Sequence, residues 1–254
     1  KLRRQQERKR AELEPLRPAG GVDGWGVLDD PELVPRIVAE FADLADRAAV
    51  IDEAAAAARL READRIVLEG AQGVLLDEVW GFHPHTTWSD CTFTGAEALV
   101  ADRPVTRLGV LRAYATRHGP GPFPTDDPAW DLPEPHNPSD GWQGRFRVGP
   151  LDLVLVRYAA EVVGRLDGVV VTCLDRVGPS IPICAAYADR DRLDPGIDRE
   201  LLGRALRGVA PIVTRTDPDG LLAAIADAAG APVAVVSTGP TAADKRAIRP
   251  PSRS

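Results

Sequence analysis

Ile66-Val67-Leu68-Glu69-Gly70-Ala71-Gln72-Gly73-Val74-Leu75-Leu76-Asp77 is the stretch on which the reading of this chain turns. The β-branched and aliphatic run Ile66 to Leu68 reads as a buried strand. It leads directly into small residues, an amide and a carboxylate. Glycines at a strand end let backbone N–H groups approach a ligand closely, and a neutral amide can both donate and accept there. Just downstream, His83-Pro84-His85-Thr86-Thr87-Trp88-Ser89-Asp90 adds hydroxyls suited to phosphate or sugar oxygens. Together the two segments read as a nucleotide pocket at the carboxyl end of a sheet.

Outward from that point, helix and strand signals alternate. Residues 1–15 (KLRRQQERKRAELEP) form a basic, Gln-rich helix, which Pro15, Pro18 and the Gly20-Gly21 pair then break. It is read as a solvated helix rather than an anion- or RNA-binding arm. Asp30 is the expected N-cap of the next helix, with Pro31 in its first turn and Leu33, Ile37, Phe41 and Leu44 at helical spacing. Another helix runs from Asp52 to about Arg61. Residues 104–117 alternate as a strand would, with a helix left open. Residues 119–138 (GPGPFPTDDPAWDLPEPHNP) are a long Pro/Gly loop, expected to move when ligands bind. An apolar helix over 151–165, strands at 168–172 and 181–187, a capped helix from Asp217 to Gly230 and a strand at 231–236 complete the pattern. Strands alternating with helices imply an α/β fold with a mainly parallel central sheet flanked by helices. The expected division is a basic segment over 1–29 and one α/β domain over 30–254.

The 254 residues include 31 basic and 38 acidic side chains, a net charge of −7. That balance argues against nucleic-acid or anionic-membrane partners and for a soluble, cytoplasmic protein. Cys91, Cys173 and Cys184 have no CxxC spacing and read as reduced thiols. No apolar run approaches the ~18 residues of a membrane span, and no secretory signal opens the chain. The sequence has no Met and begins at Lys1, so an N-terminal part is expected to be missing.

Five segments end elements in ligand-suited residues: EGAQG at 69–73, HTTWSDCT at 85–92, GRFR at 144–147, TCLD at 172–175 and STGP at 237–240. In this order, with TRHGPGPFPTD at 116–126, LDLVLVRYA at 151–159 and the CLD/CAAY pair, the chain resembles the adenylosuccinate synthetase family over roughly residues 30–250. The resemblance implies a GTP-dependent ligase of purine nucleotide biosynthesis. It would join aspartate, or another amine, to C6 of inosine monophosphate or a related purine nucleotide through a 6-phosphoryl intermediate. GTP is then the co-substrate, Mg²⁺ the metal, and a homodimer the expected assembly.

The residue roles follow from the same resemblance. Gln72, with Gly73, matches the glutamine that holds the purine oxygen, and Thr87, fifteen positions on, matches the threonine that contacts the 5′-phosphate. Arg145 and Arg147 match the paired arginines of the amino-acid loop, where a guanidinium fork can take a carboxylate and Arg147 can also reach the nucleotide. Asp175 matches the aspartate that reads guanine N1–H and its amine, and Ser237, Thr238 and Gly239 line the same base.

The chain also departs from the family. Its glycine-rich phosphate loop, GDEGKGK, and a downstream histidine are absent, so the expected catalytic base and histidine have no counterpart in residues 1–254. This polypeptide alone is therefore expected to be inactive. Trp142 and Gln143 stand where the family has two threonines, and Cys173 replaces a lysine, so the amine is open to question. Two other readings compete. One is a non-catalytic nucleotide-binding homologue. The other is a metal hydrolase built on His83, His85, Asp90 and Cys91.

Overall fold

The computed structural model describes residues 1–17, 24–100, 103–130, 132, 134, 137 and 144–248. They fall into two compact units, Lys1–Asp64 and Arg65–Ser254. Trp142 and Gln143, and part of the expected loop over 119–138, lie outside the described residues.

The first unit is helical: α1 (Leu2–Leu13), α2 (Trp25–Asp29), α3 (Leu33–Arg47) and α4 (Glu53–Glu62). The basic helix α1 buries none of its residues, as a solvated helix should. Gln6 Nε2 donates to the Asp30 carbonyl at 2.9 Å, and Asp29 pairs with Arg10 at 3.0 Å and Arg17 at 2.6 Å. Asp30 does not cap α3, whose N-cap is Glu32. Its carboxylate instead accepts from Glu32 N at 2.8 Å and binds Arg36 at 2.8 Å, shaping the turn before the helix. Asp52 does cap α4, accepting from Ala55 N at 2.8 Å.

Among the described residues, the second unit carries every strand. In chain order it contains α5 (Thr94–Ala98), β1 (Leu108–Arg112), β2 (Ala115–His118), β3 (Phe146–Gly149), β4 (Leu151–Asp152), α6 (Leu153–Val163), β5 (Gly168–Thr172), β6 (Ile181–Tyr187), α7 (Arg199–Ala205), β7 (Pro211–Thr216), α8 (Pro218–Ala229), β8 (Val233–Ser237) and β9 (Lys245–Ala247). The main sheet has the order β1-β5-β8-β9, with β1, β5 and β8 parallel and β9 antiparallel at the edge. A second sheet orders β4-β6-β7, parallel then antiparallel, and β2 and β3 form an antiparallel ladder. The mainly parallel α/β architecture expected from the sequence is the one observed.

Two apolar clusters hold this unit. Val169, Val171, Val233 and Val236 of the main sheet pack with Leu221 and Ile225 of α8 and Ile181 and Ile183 of β6. Val154, Leu155 and Tyr158 of α6 pack with Cys184, Tyr187, Phe82, Leu202 and Leu206. Full burial of each such aliphatic side chain is worth ~1.5–3 kcal/mol, so these clusters dominate the fold. The helices between them have firm ends. Asp217 accepts from Gly220 N at 2.7 Å to start α8, and Gly230 at φ 63° ends it.

Three expectations are corrected. Residues 66–68 are not a strand, and Val67 is 92% exposed. A β-branched run becomes a strand only where a neighbour supplies the ladder, and no described strand pairs with it. Residues 104–117 hold two strands, β1 and β2, separated by the buried pair Ala113 and Tyr114. The apolar segment 151–165 opens as β4 before its helix begins, because Leu151 and Asp152 pair with Ile183 and Cys184.

Candidate functional site

Polar residues gather in two centres. The first is built from residues 69–91. Asp77, 1% exposed, accepts from Val79 N at 2.7 Å and Trp80 N at 2.9 Å through Oδ1, and from Cys91 N at 2.6 Å through Oδ2. A buried carboxylate with three backbone donors is a staple for the turn rather than a ligand group. It fixes the Thr/Ser run alongside residues 76–78: Thr87 N donates to Leu76 O at 2.7 Å and Glu78 N to Ser89 O at 3.2 Å. Gln72 sits at φ 58°, a left-handed turn position, and Ser89 Oγ donates to its Oε1 at 3.4 Å. Thr87 Oγ1 lies 3.3 Å from the same Ser89 hydroxyl. Gln72 and Thr87 thus belong to one hydrogen-bonded chain, and Gly73 beside them faces open space.

His85 links this chain to the arginines. Arg117 Nη2 donates to the His85 carbonyl at 3.0 Å, and its Nε donates to Pro120 O at 3.2 Å. Arg147, on β3, donates through Nη2 to the carbonyls of Gly119 at 2.7 Å and Gly121 at 2.9 Å. Arg207 Nη2 donates to His85 Nε2 at 2.7 Å. An open cleft of ≈ 370 Å³ lies here, between residues 120–124 and Leu206, Arg207 and Val209, with Arg147 in its wall. Burial, then Arg207, Arg117 and Arg147, hold the His85 imidazole below its usual pKa, which suits the neutral acceptor that Arg207 requires. Burial, reinforced by Arg147 and Arg207, pushes the Arg117 guanidinium down to about 10. Arg145 stands apart from this group. It is exposed, and it shares the Asp126 carboxylate with Arg147 at 3.4 and 3.3 Å.

The second centre lies where β5 and β8, parallel neighbours, end side by side. Cys173 turns the chain after β5 at φ 60° into a 3₁₀ turn, Leu174–Arg176, that packs against β8 and presents Asp175 to solvent. At the end of β8 the buried Ser237 donates through Oγ to Gly239 O at 3.0 Å, and Thr238 N donates to Asp244 O at 3.1 Å. Lys245 Nζ donates to Gly239 O at 2.7 Å and Thr241 O at 2.9 Å. Asp175, Ser237, Thr238 and Gly239 therefore share one end of the sheet.

A polar relay joins the second centre to the β2–β3 ladder. Arg176 donates to Tyr114 OH at 2.8 Å and pairs with Glu134, which also takes Arg112 at 2.7 Å and the Tyr114 hydroxyl at 3.0 Å. Burial pulls Glu134 upward, but Tyr114 and the two arginines outweigh it and hold the carboxyl below its usual value. Asn137 connects Glu134, at 3.2 Å, to His118, at 3.0 Å. The reading of the sequence missed Glu134 and Arg207. Arg117 fell inside a quoted motif, but Arg207 meets His85 across 122 residues with no local signal.

The metal-hydrolase reading loses its ligands. His83 Nε2 donates to Glu78 O at 3.0 Å, and His85 Nε2 is taken by Arg207. Among the described residues no group of three His, Cys, Asp or Glu is placed to hold a metal ion. Among them, too, no helix is long and apolar enough to cross a membrane.

Comparison with known proteins matches residues 23–212 to the family model for adenylosuccinate synthetase. The adenylosuccinate synthetase of Sorangium cellulosum is 42% identical over 156 residues, 57% of this chain and 34% of that protein. That of Desulforudis audaxviator is 34% identical over 245 residues, 83% of this chain and 55% of that protein. The chain thus spans about a third to about half of these relatives' length. Among solved structures, fully ligated adenylosuccinate synthetase from Plasmodium falciparum superposes with a TM-score of 0.56 at 20% identity, over 71% of this chain and 49% of that one. Cyanophage S-2L succinoaminodeoxyadenylate synthetase, bound to dGMP and dATP as an energy donor, gives 0.50 at 18% identity, over 91% and 56%. At these identities the structural likeness speaks for the fold.

Proposed function

The chain belongs to the adenylosuccinate synthetase family, and from that premise we propose that it carries the nucleotide- and amine-binding part of a GTP-dependent purine nucleotide ligase. In this reading Gln72 and Gly73 hold the purine and Thr87 its 5′-phosphate, with Arg147 alongside. Arg145 and Arg147 take the carboxylate of the amino-acid substrate. Asp126, which now engages both guanidiniums, occupies the place a substrate carboxylate would compete for. Asp175 reads guanine from the end of β5, and Ser237, Thr238 and Gly239 form the facing wall.

Phosphorylation of the purine 6-oxygen makes it a good leaving group, and an amine then displaces phosphate. Positive groups around the site offset the charge that develops. Residues 1–254 contain no GDEGKGK-type loop, so the general base and the Mg²⁺ ligands of this chemistry are not assigned to this chain. A second reading is a non-catalytic nucleotide-binding homologue; a GDEGKGK-type loop and a following His encoded upstream of Lys1 would decide for the ligase. The reading also extends to a cytoplasmic homodimer.

The observation that carries the proposal is the pairing of Asp175 with Ser237–Gly239 at the adjoining ends of two parallel strands. Titration calorimetry of the chain with GTP, ATP and xanthosine triphosphate tests it. Xanthine has an oxygen where guanine has its amine, so Asp175→Asn should weaken GTP about tenfold or more and favour the xanthine nucleotide. Equal binding of all three by both proteins defeats the proposal. With inosine monophosphate, GTP, Mg²⁺ and aspartate, the chain alone should give no turnover.

A further inference from the structure

We propose that Arg117, Arg147 and Arg207, gathered around His85, form a binding site for a dianionic phosphate group. The proposal adds Arg117 and Arg207 to the site, and it rests on the nucleotide reading above only for what carries the phosphate.

Charge balance is the first argument. Arg207 meets the His85 imidazole, Arg117 its carbonyl, and Arg147 the nearby carbonyls of Gly119 and Gly121; the carboxylate paired among them is Asp126, which Arg147 shares with Arg145. Arg117 gives its hydrogen bonds to the neutral carbonyls of His85 and Pro120, and Arg207 to the neutral ring of His85. Cations held together on neutral acceptors repel one another, and an anion relieves that repulsion. The downward pull that Arg147 and Arg207 exert on Arg117 reports the same crowding.

Geometry is the second. Arg147 and Arg207 line an open cleft of ≈ 370 Å³, large enough for a phosphate group, and Arg117 donates to the carbonyl of Pro120 on its rim. Gly121, at φ +116° on the same rim, is what lets the Arg117 guanidinium pack against it, because a Cβ at that position would run into the guanidinium. Arg147 is anchored by two carbonyls and Arg117 by two more, so both forks are held in advance of any ligand. Arg207 is exposed, and one of its N–H groups alone is engaged among the described residues, which leaves it free to close on an oxyanion. Fork-like guanidiniums from three directions suit the three oxygens of a phosphate monoester better than the two of a carboxylate. Thr87, two positions beyond His85 in the chain, carries a hydroxyl that Ser89 links to Gln72.

The test is titration calorimetry of the full chain and of Arg207→Ala and Arg207→Lys, with inorganic phosphate, ribose 5-phosphate, inosine monophosphate, inosine and succinate. Arg207 is exposed, so both variants should keep the circular dichroism spectrum of the parent. Arg207→Ala should weaken the three phosphorylated probes about tenfold or more, and Arg207→Lys should fall between. Inosine should bind all three proteins alike. Phosphorylated probes that bind Arg207→Ala within about twofold of the parent would overturn the proposal, as would succinate being the probe that tracks Arg207. The two readings separate cleanly. If the phosphate probes follow Arg207 but inosine monophosphate binds no better than ribose 5-phosphate, the phosphate site stands and the purine reading falls. If inosine monophosphate outbinds ribose 5-phosphate and ignores Arg207, the reverse holds.

Discussion

Asp152 joins two tasks in one carboxylate. It caps α6, accepting from Val154 N at 3.0 Å and Leu155 N at 3.2 Å, and it takes the Tyr187 hydroxyl at 2.8 Å. Those three donors favour the ionised form, yet the group is 2% exposed, and burial prevails, pushing its pKa up to about 6. The unfolded value is the ordinary one, 3.8. Well below pH 3.8 the carboxyl is protonated in both states and contributes nothing to pH dependence. Between about 4 and 6 the folded state keeps its proton longer, so this group makes stability fall as pH rises through that window, by at most on the order of 3 kcal/mol. Asp152→Asn keeps an oxygen for capping and removes the titration. Its melting temperature should lose this downward component between pH 4 and 6, and an unchanged pH profile by calorimetry would contradict the assignment.

Individual residues were read unevenly from sequence. Gln72, Thr87, Asp175 and Ser237–Gly239 sit in short motifs whose neighbours travel with them, so their grouping could be anticipated. Arg207 and Glu134 could not, because their partners lie far along the chain and a lone Arg or Glu reads as surface charge.

At the scale of elements, the β3 strand illustrates a constraint that composition hides. A Cβ on Gly149 would collide with the Thr125 carbonyl, where residues 125–127 cross the strand; Asp127 N donates to Val148 O at 3.0 Å. Backbone on both sides leaves nothing flexible to yield, so Gly149→Ala should destabilise by about 1–3 kcal/mol or more. Urea unfolding measures it; a midpoint equal to the parent's would show that the crossing segment gives way. The helix α8 was legible because an apolar run and its two ends, Asp217 and Gly230, agreed locally, and α4 because it is Ala-rich, whereas Asp152, the cap of α6, lay inside the helix read over 151–165. The Ile66–Leu68 run was misread because strand formation depends on a partner, which no local pattern supplies. The β7 strand, PIVTRT, escaped notice for the converse reason: its ladder comes from β6, while most of its own side chains are exposed.

For the whole molecule, the division of burial is decisive. Both apolar clusters lie within 65–254, whereas Val34 is the single buried residue described in 1–64. Residues 65–254 should therefore fold without the helical unit. Deleting 1–64 should shift the thermal midpoint of the remainder by no more than about 4 °C, roughly 1 kcal/mol for a domain of this size. Loss of the cooperative transition by circular dichroism would refute it.

Sequence by itself determined the alternation of strands and helices, the mainly parallel sheet and the ordered motifs that mark the family. Those features are written in local periodicity, caps and short-range spacing, which the chain imposes on itself. Tertiary structure alone decided that Ile66–Leu68 stays outside the ladders, that Asp77 is a staple, and that His85 joins Arg117 and Arg207. The Asp77 staple needs Cys91, 14 residues on, and the His85 contacts span 32 and 122 residues; only the folded backbone sets such distances.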